Sequence, residues 1–139
     1  MELSINNNKG RLIVKSEITP ALKGIEIDYN KSIKKLGIIL LSDEKLRDMN
    51  IRYLKSDYYT DIISFNYSED ALVIEGELYI SSDRIKENAK KYEITVKEEM
   101  YRVIIHGVLH LAGEEDAKSE QKKYMHNKEN QYLKLICFT

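Results

Sequence analysis

His106-Gly107-Val108-Leu109-His110-Leu111-Ala112-Gly113-Glu114-Glu115-Asp116 decides how the rest of the chain is read. Residues four apart on a helix lie one above the other, so His106 and His110 present both imidazoles to one point. Gly113 can adopt the left-handed conformation that ends a helix and turns the chain back. The turn brings Glu114, Glu115 or Asp116 within reach of the same point. Two nitrogens and one oxygen, with a fourth position open to water, make a catalytic type of zinc site rather than a closed structural one. Upstream, Thr95-Val96-Lys97-Glu98 is a capping box, which predicts a helix over 96–112. Met100, Val103, Ile104, Val108 and Leu111 share one face of it, and Ile105 and Leu109 widen that face. Glu99, Arg102, His106, His110 and Gly113 form the opposite stripe. A largely apolar helix with one narrow ionisable stripe is a buried helix that lines a cleft.

The spacing resembles that of the zinc peptidases, in which two helical histidines bracket a glutamate general base. Here Gly107 follows the first histidine, so the metal cradle is present without the proteolytic base. Two histidines four apart also occur simply packed or solvated; the trailing Gly113-x-x-Asp116 favours the metal.

The 139 residues are expected to form one domain with a real core. Lys and Arg number 22 against 23 Asp and Glu, so the net charge of −1 lacks the basic excess of most nucleic-acid binders. No apolar run approaches a membrane span, and Met1-Glu2-Leu3-Ser4-Ile5 lacks a signal peptide's basic and apolar regions. The single cysteine, Cys137, excludes an internal disulfide, fits a reducing cytoplasm and is expected to be a small packing residue.

In chain order, Glu2–Asn6 alternates like an edge strand, and Thr19-Pro20 predicts a helix start that Gly24 and the Ile25/Ile27 alternation disturb. Lys31 to Lys35 reads as a solvated helical end, and Leu36 to Leu41 as a buried strand. Ser42-Asp43-Glu44 caps a helix running to about Leu54, with Leu46, Met49 and Tyr53 as its apolar stripe. Thr60 to Tyr67 is rich in β-formers. Leu72–Ile74 and Glu77–Ile80 flank Gly76 as one bulged strand or two short ones. Ser81-Ser82-Asp83 caps a helix that buries Ile85, Ala89 and Tyr92, and Ser119 opens a last helix with Met125, Tyr132 and Leu135 inward. Long helices with short strands outside a regular βαβ rhythm predict an α+β domain with one small mixed sheet.

The central motif and a second stretch together carry a family resemblance. The second stretch is Asn50-Ile51-Arg52-Tyr53-Leu54-Lys55-Ser56-Asp57-Tyr58-Tyr59-Thr60-Asp61-Ile62-Ile63-Ser64-Phe65. Gly76-Glu77-Leu78 and Ile80-Ser81 follow, then His106-Gly-x-Leu-His110-Leu-x-Gly113, and finally Met125 and Glu129. From about Ser42 to Leu133 the chain resembles the YbeY family of metal-dependent endoribonucleases, or rRNA maturation factors. Three departures stand out. Asp116 replaces a frequent third histidine, and carboxylate oxygen is an acceptable zinc ligand. Leu54 occupies the position of a common arginine linked to RNA chemistry, and Arg52 and Lys55 do not inherit that role. Glu114-Glu115 replaces the usual Tyr-Asp and makes the mouth more acidic.

The resemblance implies a zinc-dependent endoribonuclease of single-strand type, a hydrolase acting in ribosomal RNA maturation and ribosome quality control. Its implied ligands are His106, His110 and Asp116 around one zinc or other divalent ion, with no organic cofactor and no membrane. His126 is the competing third ligand, otherwise a solvated helix residue. Glu99 and Arg102 are either a salt-bridged surface pair or groups that orient ligands and hold phosphate, while Asp61 is read as a loop anchor. No residue is assigned as general base. Ribosomal RNA is the implied partner, with ribosomal proteins a second. A metal-bearing assembly factor that cuts nothing is the alternative, and a metallopeptidase the weaker third.

Overall fold

Val73–Ser81 alternates half-buried and buried side chains, the period-2 signature of a strand with one face on a core. It is β4 of a mixed sheet whose other strands are β1 (Glu2–Asn6), β2 (Ser32–Leu41) and β3 (Ile62–Asn66). In the computed structural model, which describes residues 1–57 and 59–138, the strand order is β1-β2-β4-β3. β1 and β4 both run parallel to β2, and β3 pairs antiparallel with β4. Among the described residues five α-helices complete an α+β domain: α1 (Lys15–Tyr29), α2 (Asp43–Leu54), α3 (Ser82–Tyr92), α4 (Val96–Leu111) and α5 (Ser119–Leu133). Tyr58, part of the stretch carrying the resemblance, lies outside the described residues.

The central helix forms where the sequence places it. Thr95 Oγ1 accepts the Glu98 amide at 3.1 Å, and α4 then packs Met100, Val103, Ile104, Ile105, Val108, Leu109 and Leu111 into the core. It crosses the inner face of the sheet closely. A Cβ at Gly107 would stand 2.7 Å from both Ile62 Cδ1 and Leu78 Cδ2, and the Phe65 carbonyl leaves no room for one at Gly76. Gly107 is therefore the packing contact of α4, and a buried glutamate there would need the sheet to move away.

Several sequence expectations are corrected. The first helix begins at Lys15 rather than at Thr19, with Pro20 inside it. Ile18, Ala21, Leu22 and Ile25 are fully buried along one face, and that burial outweighs the backbone bond proline cannot donate. Its start is tied to α4, since Glu17 meets Lys97 at 2.6 Å and accepts from the Tyr101 hydroxyl. Residues 32–35 belong to β2, not to a helical end. Lys34 is an extra residue between Ile33 (opposite Ile74) and Lys35 (opposite Glu75), and this bulge breaks the visible alternation. β4 itself is continuous through Gly76.

The α2 stripe is Leu46 and Asn50, with Met49 only half-buried. Tyr53 is exposed, its ring edge-on to Phe65 on the outer face of the sheet. Tyr92 and Leu135 are exposed as well; α5 ends at Leu133, so Leu133 and Ile136 point inward instead. Cys137 is exposed and free, not a packing residue.

Candidate metal centre

Helix α4 ends in two turns of hydrogen bonding that aim its histidines. The Gly113 amide bonds to His110 O at 3.0 Å and the Glu114 amide to Leu109 O at 3.0 Å, with Gly113 at φ 110°. This paired 5→2 and 6→1 arrangement is a Schellman turn, and it needs the positive φ that glycine adopts freely. The chain doubles back and returns Asp116 to the helix. His106 Nε2 lies 3.0 Å from His110 Nε2, and the Asp116 oxygens lie 3.3 Å from the first and 3.4 Å from the second. Among the described residues these three are the one His/Cys/Asp/Glu group whose donor atoms converge within 4.8 Å.

The outward ring nitrogens explain the convergence. His110 Nδ1 donates to the Glu114 carbonyl at 2.9 Å, and His106 Nδ1 pairs with Glu129 Oε2 at 2.6 Å. With protons on both Nδ1 atoms, each Nε2 offers a lone pair toward the other and toward a carboxylate. Such a cluster of acceptors 3.0–3.4 Å apart repels itself unless a cation lies among them. Two nitrogens 2.0–2.1 Å from one tetrahedral ion stand about 3.3 Å apart, close to the spacing seen. The donor set thus fits a divalent ion with an open position. Burial pulls the His106 pKa down, but the Glu129 bond and charge, aided by Asp116 and Asp61, raise it overall.

A cleft of about 680 Å³ opens beside His106 and Asp116. Its walls include Asp61 before β3, Asn88 and Tyr92 of α3, Glu99, Arg102 and Val103 of α4, and Met125, His126 and Glu129 of α5. Glu99 is 3% exposed and its Oε1 has no hydrogen-bond partner. Burial and then the charge of Asp61 push its pKa up to about 7. Burial likewise raises Asp61. Arg102 is directed away from a surface pairing: it bonds Glu129 Oε1 at 3.2 Å and Asn130 Oδ1 at 2.6 Å. His126 is exposed, 3.9 Å from Glu129 Oε1, and outside the converging group. Glu115 is exposed, and Glu114 contributes its backbone carbonyl rather than its carboxylate to the histidines.

Sequence reasoning gives no role to two contributors. Glu129, which enters there only through the resemblance, is 5% exposed and lies on the inward stripe of α5 between Met125 and Tyr132. A carboxylate on an apolar stripe is the available signal, because a buried charge needs a partner. The Glu114 carbonyl carries no side-chain signal at all. Its carboxylate accepts from the Tyr29 hydroxyl at 2.7 Å, and burial and this contact hold the phenol far above its usual pKa, so it stays a donor.

Comparison with known proteins identifies the family. A family model described as endoribonuclease YbeY matches residues 2–136. An endoribonuclease YbeY of Cytophaga hutchinsonii is 45% identical over 124 residues, covering 89% of this chain and 87% of that one. The Phocaeicola vulgatus protein of the same name is 41% identical, with 89% of each chain covered. Among solved structures, the solution structure of a Thermotoga maritima protein superposes with a TM-score of 0.69 at 26% identity, covering 97% of this chain and 88% of that one. A whole-length family match, close relatives and a shared fold leave one conclusion: the chain belongs to the YbeY family of endoribonucleases.

Proposed function

We propose that the chain, as one domain over residues 1–139, is a zinc-dependent endoribonuclease of ribosomal RNA maturation and ribosome quality control, working in the cytoplasm. The observation that carries this reading is the convergence of two imidazole nitrogens and one carboxylate at the mouth of a cleft. His106, His110 and Asp116 would hold the ion, zinc or another divalent metal. When bound, such an ion lowers the pKa of a water and polarises a phosphoryl oxygen. The chain's own residues do the rest. Glu129 and the Glu114 carbonyl keep each histidine in the tautomer whose Nε2 lone pair points to the shared ion position. Arg102, fixed by Glu129 and Asn130, presents a cation to a phosphate in the cleft. No general base is assigned. Among the described residues no helix is long and apolar enough to cross a membrane.

A second reading is favoured by one observation. Leu54, which takes the place of the family arginine, is exposed at the end of α2 and supplies no charge. The chain would then be a metal-bearing assembly factor that contacts ribosomal RNA or ribosomal proteins without cutting. Single-turnover cleavage of structured ribosomal RNA, with and without chelator, separates the two. Metal-dependent cleavage is expected; binding without cleavage in zinc-loaded protein would favour the assembly factor.

A further inference from the structure

His106 and His110 are oriented by different kinds of group. A side chain, Glu129, holds the first; the backbone carbonyl of Glu114, in the loop after α4, holds the second. A carbonyl in a loop is only as well placed as the loop, and the same loop delivers Asp116 two residues later. Two bonds reach it from the distant turn between α1 and β2. Tyr29 Oη donates to Glu114 Oε2 at 2.7 Å, and Lys31 Nζ donates to Ala112 O at 2.7 Å. The two side chains flank Asn30, whose left-handed conformation (φ 51°) ends α1 and splays its neighbours. Ala112 and Glu114 bracket Gly113, so the grip closes on both sides of the residue that reverses the chain.

We infer that Tyr29 and Lys31 form a clamp that positions the metal-site loop, Tyr29 acting on His110 through Glu114. The proposal rests on the reading of His106, His110 and Asp116 as metal ligands. Neither clamp residue touches those ligands in the contacts above; both are positioning residues. The bland competitor is that Tyr29 merely ties two packed segments together. Tyr132 Oη to Asp28 Oδ2, 2.6 Å, is the matching control: another phenol–carboxylate bond, which joins α5 to α1 and leaves Glu114 out.

Co²⁺ titration of the metal-free full chain, followed by its visible absorption, tests the clamp. Tyr29→Phe and Glu114→Ala should each weaken Co²⁺ binding about tenfold, the scale of outer contacts that orient ligands. The double variant should be no weaker than either alone, because both remove one link. Glu114→Gln keeps a carbonyl acceptor and should restore near-native binding, and Tyr132→Phe should lower the melting temperature while leaving affinity and spectrum in place. Native affinity in Tyr29→Phe, additive losses in the double variant, or an equal loss in Tyr132→Phe would each overturn the clamp. If Tyr29→Phe does not fold, Glu114→Ala against Glu114→Gln decides the same question. A wild-type chain that takes up no Co²⁺ overturns the metal reading itself and the clamp with it, whereas tight wild-type binding matched by Tyr29→Phe overturns the clamp alone.

Discussion

At the scale of single residues, the third ligand is the sharpest question. Asp116 is reached within three residues of Gly113, so closing that loop costs little chain entropy. His126 stands on another helix, exposed and turned toward Glu129. Asp116→Ala should therefore lose most of its zinc after dialysis, His126→Ala should keep a full equivalent, and Asp116→His should regain it. Metal content of the three purified proteins checks this, and the opposite pattern in the two alanine variants sinks the assignment. Glu99 yields a second prediction. Its folded pKa of about 7 lies above a carboxyl's usual 4.5, so the folded state favours the neutral form. The stabilisation is complete below pH 4.5 and is lost as pH rises through 7. Glu99→Gln, neutral throughout, should flatten that decline and leave the chelated protein more stable than wild type above pH 7, by on the order of 2 kcal/mol. Melting curves from pH 5 to 8 read it directly, and parallel pH profiles for the two proteins would contradict it.

At the scale of elements, α4 is placed by what it lacks. Gly107 lets the helix approach Ile62 and Leu78 closely enough to bury its whole apolar face. Gly107→Ala should destabilise the protein by about 1–3 kcal/mol, as overpacking of a full core does. Denaturant unfolding of the chelated protein measures that loss without interference from metal, and a neutral result would mean the α4–sheet contact is softer than its geometry. The same geometry accounts for the missing peptidase glutamate. Position 107 faces the sheet, where a carboxylate would be buried without a partner.

At the scale of the whole molecule, the site joins parts that meet only on folding. His106 and His110 come from α4, Asp116 from its following loop, Glu129 from α5 and the Tyr29–Lys31 grip from the end of α1. A metal bound only by the folded chain stabilises it by mass action. Removing the ion should lower the melting temperature by several degrees or more, and identical curves for loaded and chelated protein would count against the site. Charge sets a further outcome. With 22 basic against 23 acidic residues, RNA binding should weaken as salt rises but with a shallow slope, which a filter-binding series at several salt concentrations reports.

The local sequence determined the features that depend on short-range chemistry. The Thr95 cap, the Gly113 turn and the four-residue histidine spacing are settled within one or two helical turns, and all three stand where the sequence places them. Asp116 shares that advantage, being close along the chain. Tertiary structure alone decided the rest. Pro20 sits inside α1 because burial of Ile18, Leu22 and Ile25 outweighs a local preference. Lys34 bulges from β2 because the partner strand sets the register, and that hid the strand behind a run of lysines. Glu129 reaches His106 across 23 residues of chain and Tyr29 reaches the metal loop across 85, and no local pattern encodes a contact that only the packing of α1, α4 and α5 creates.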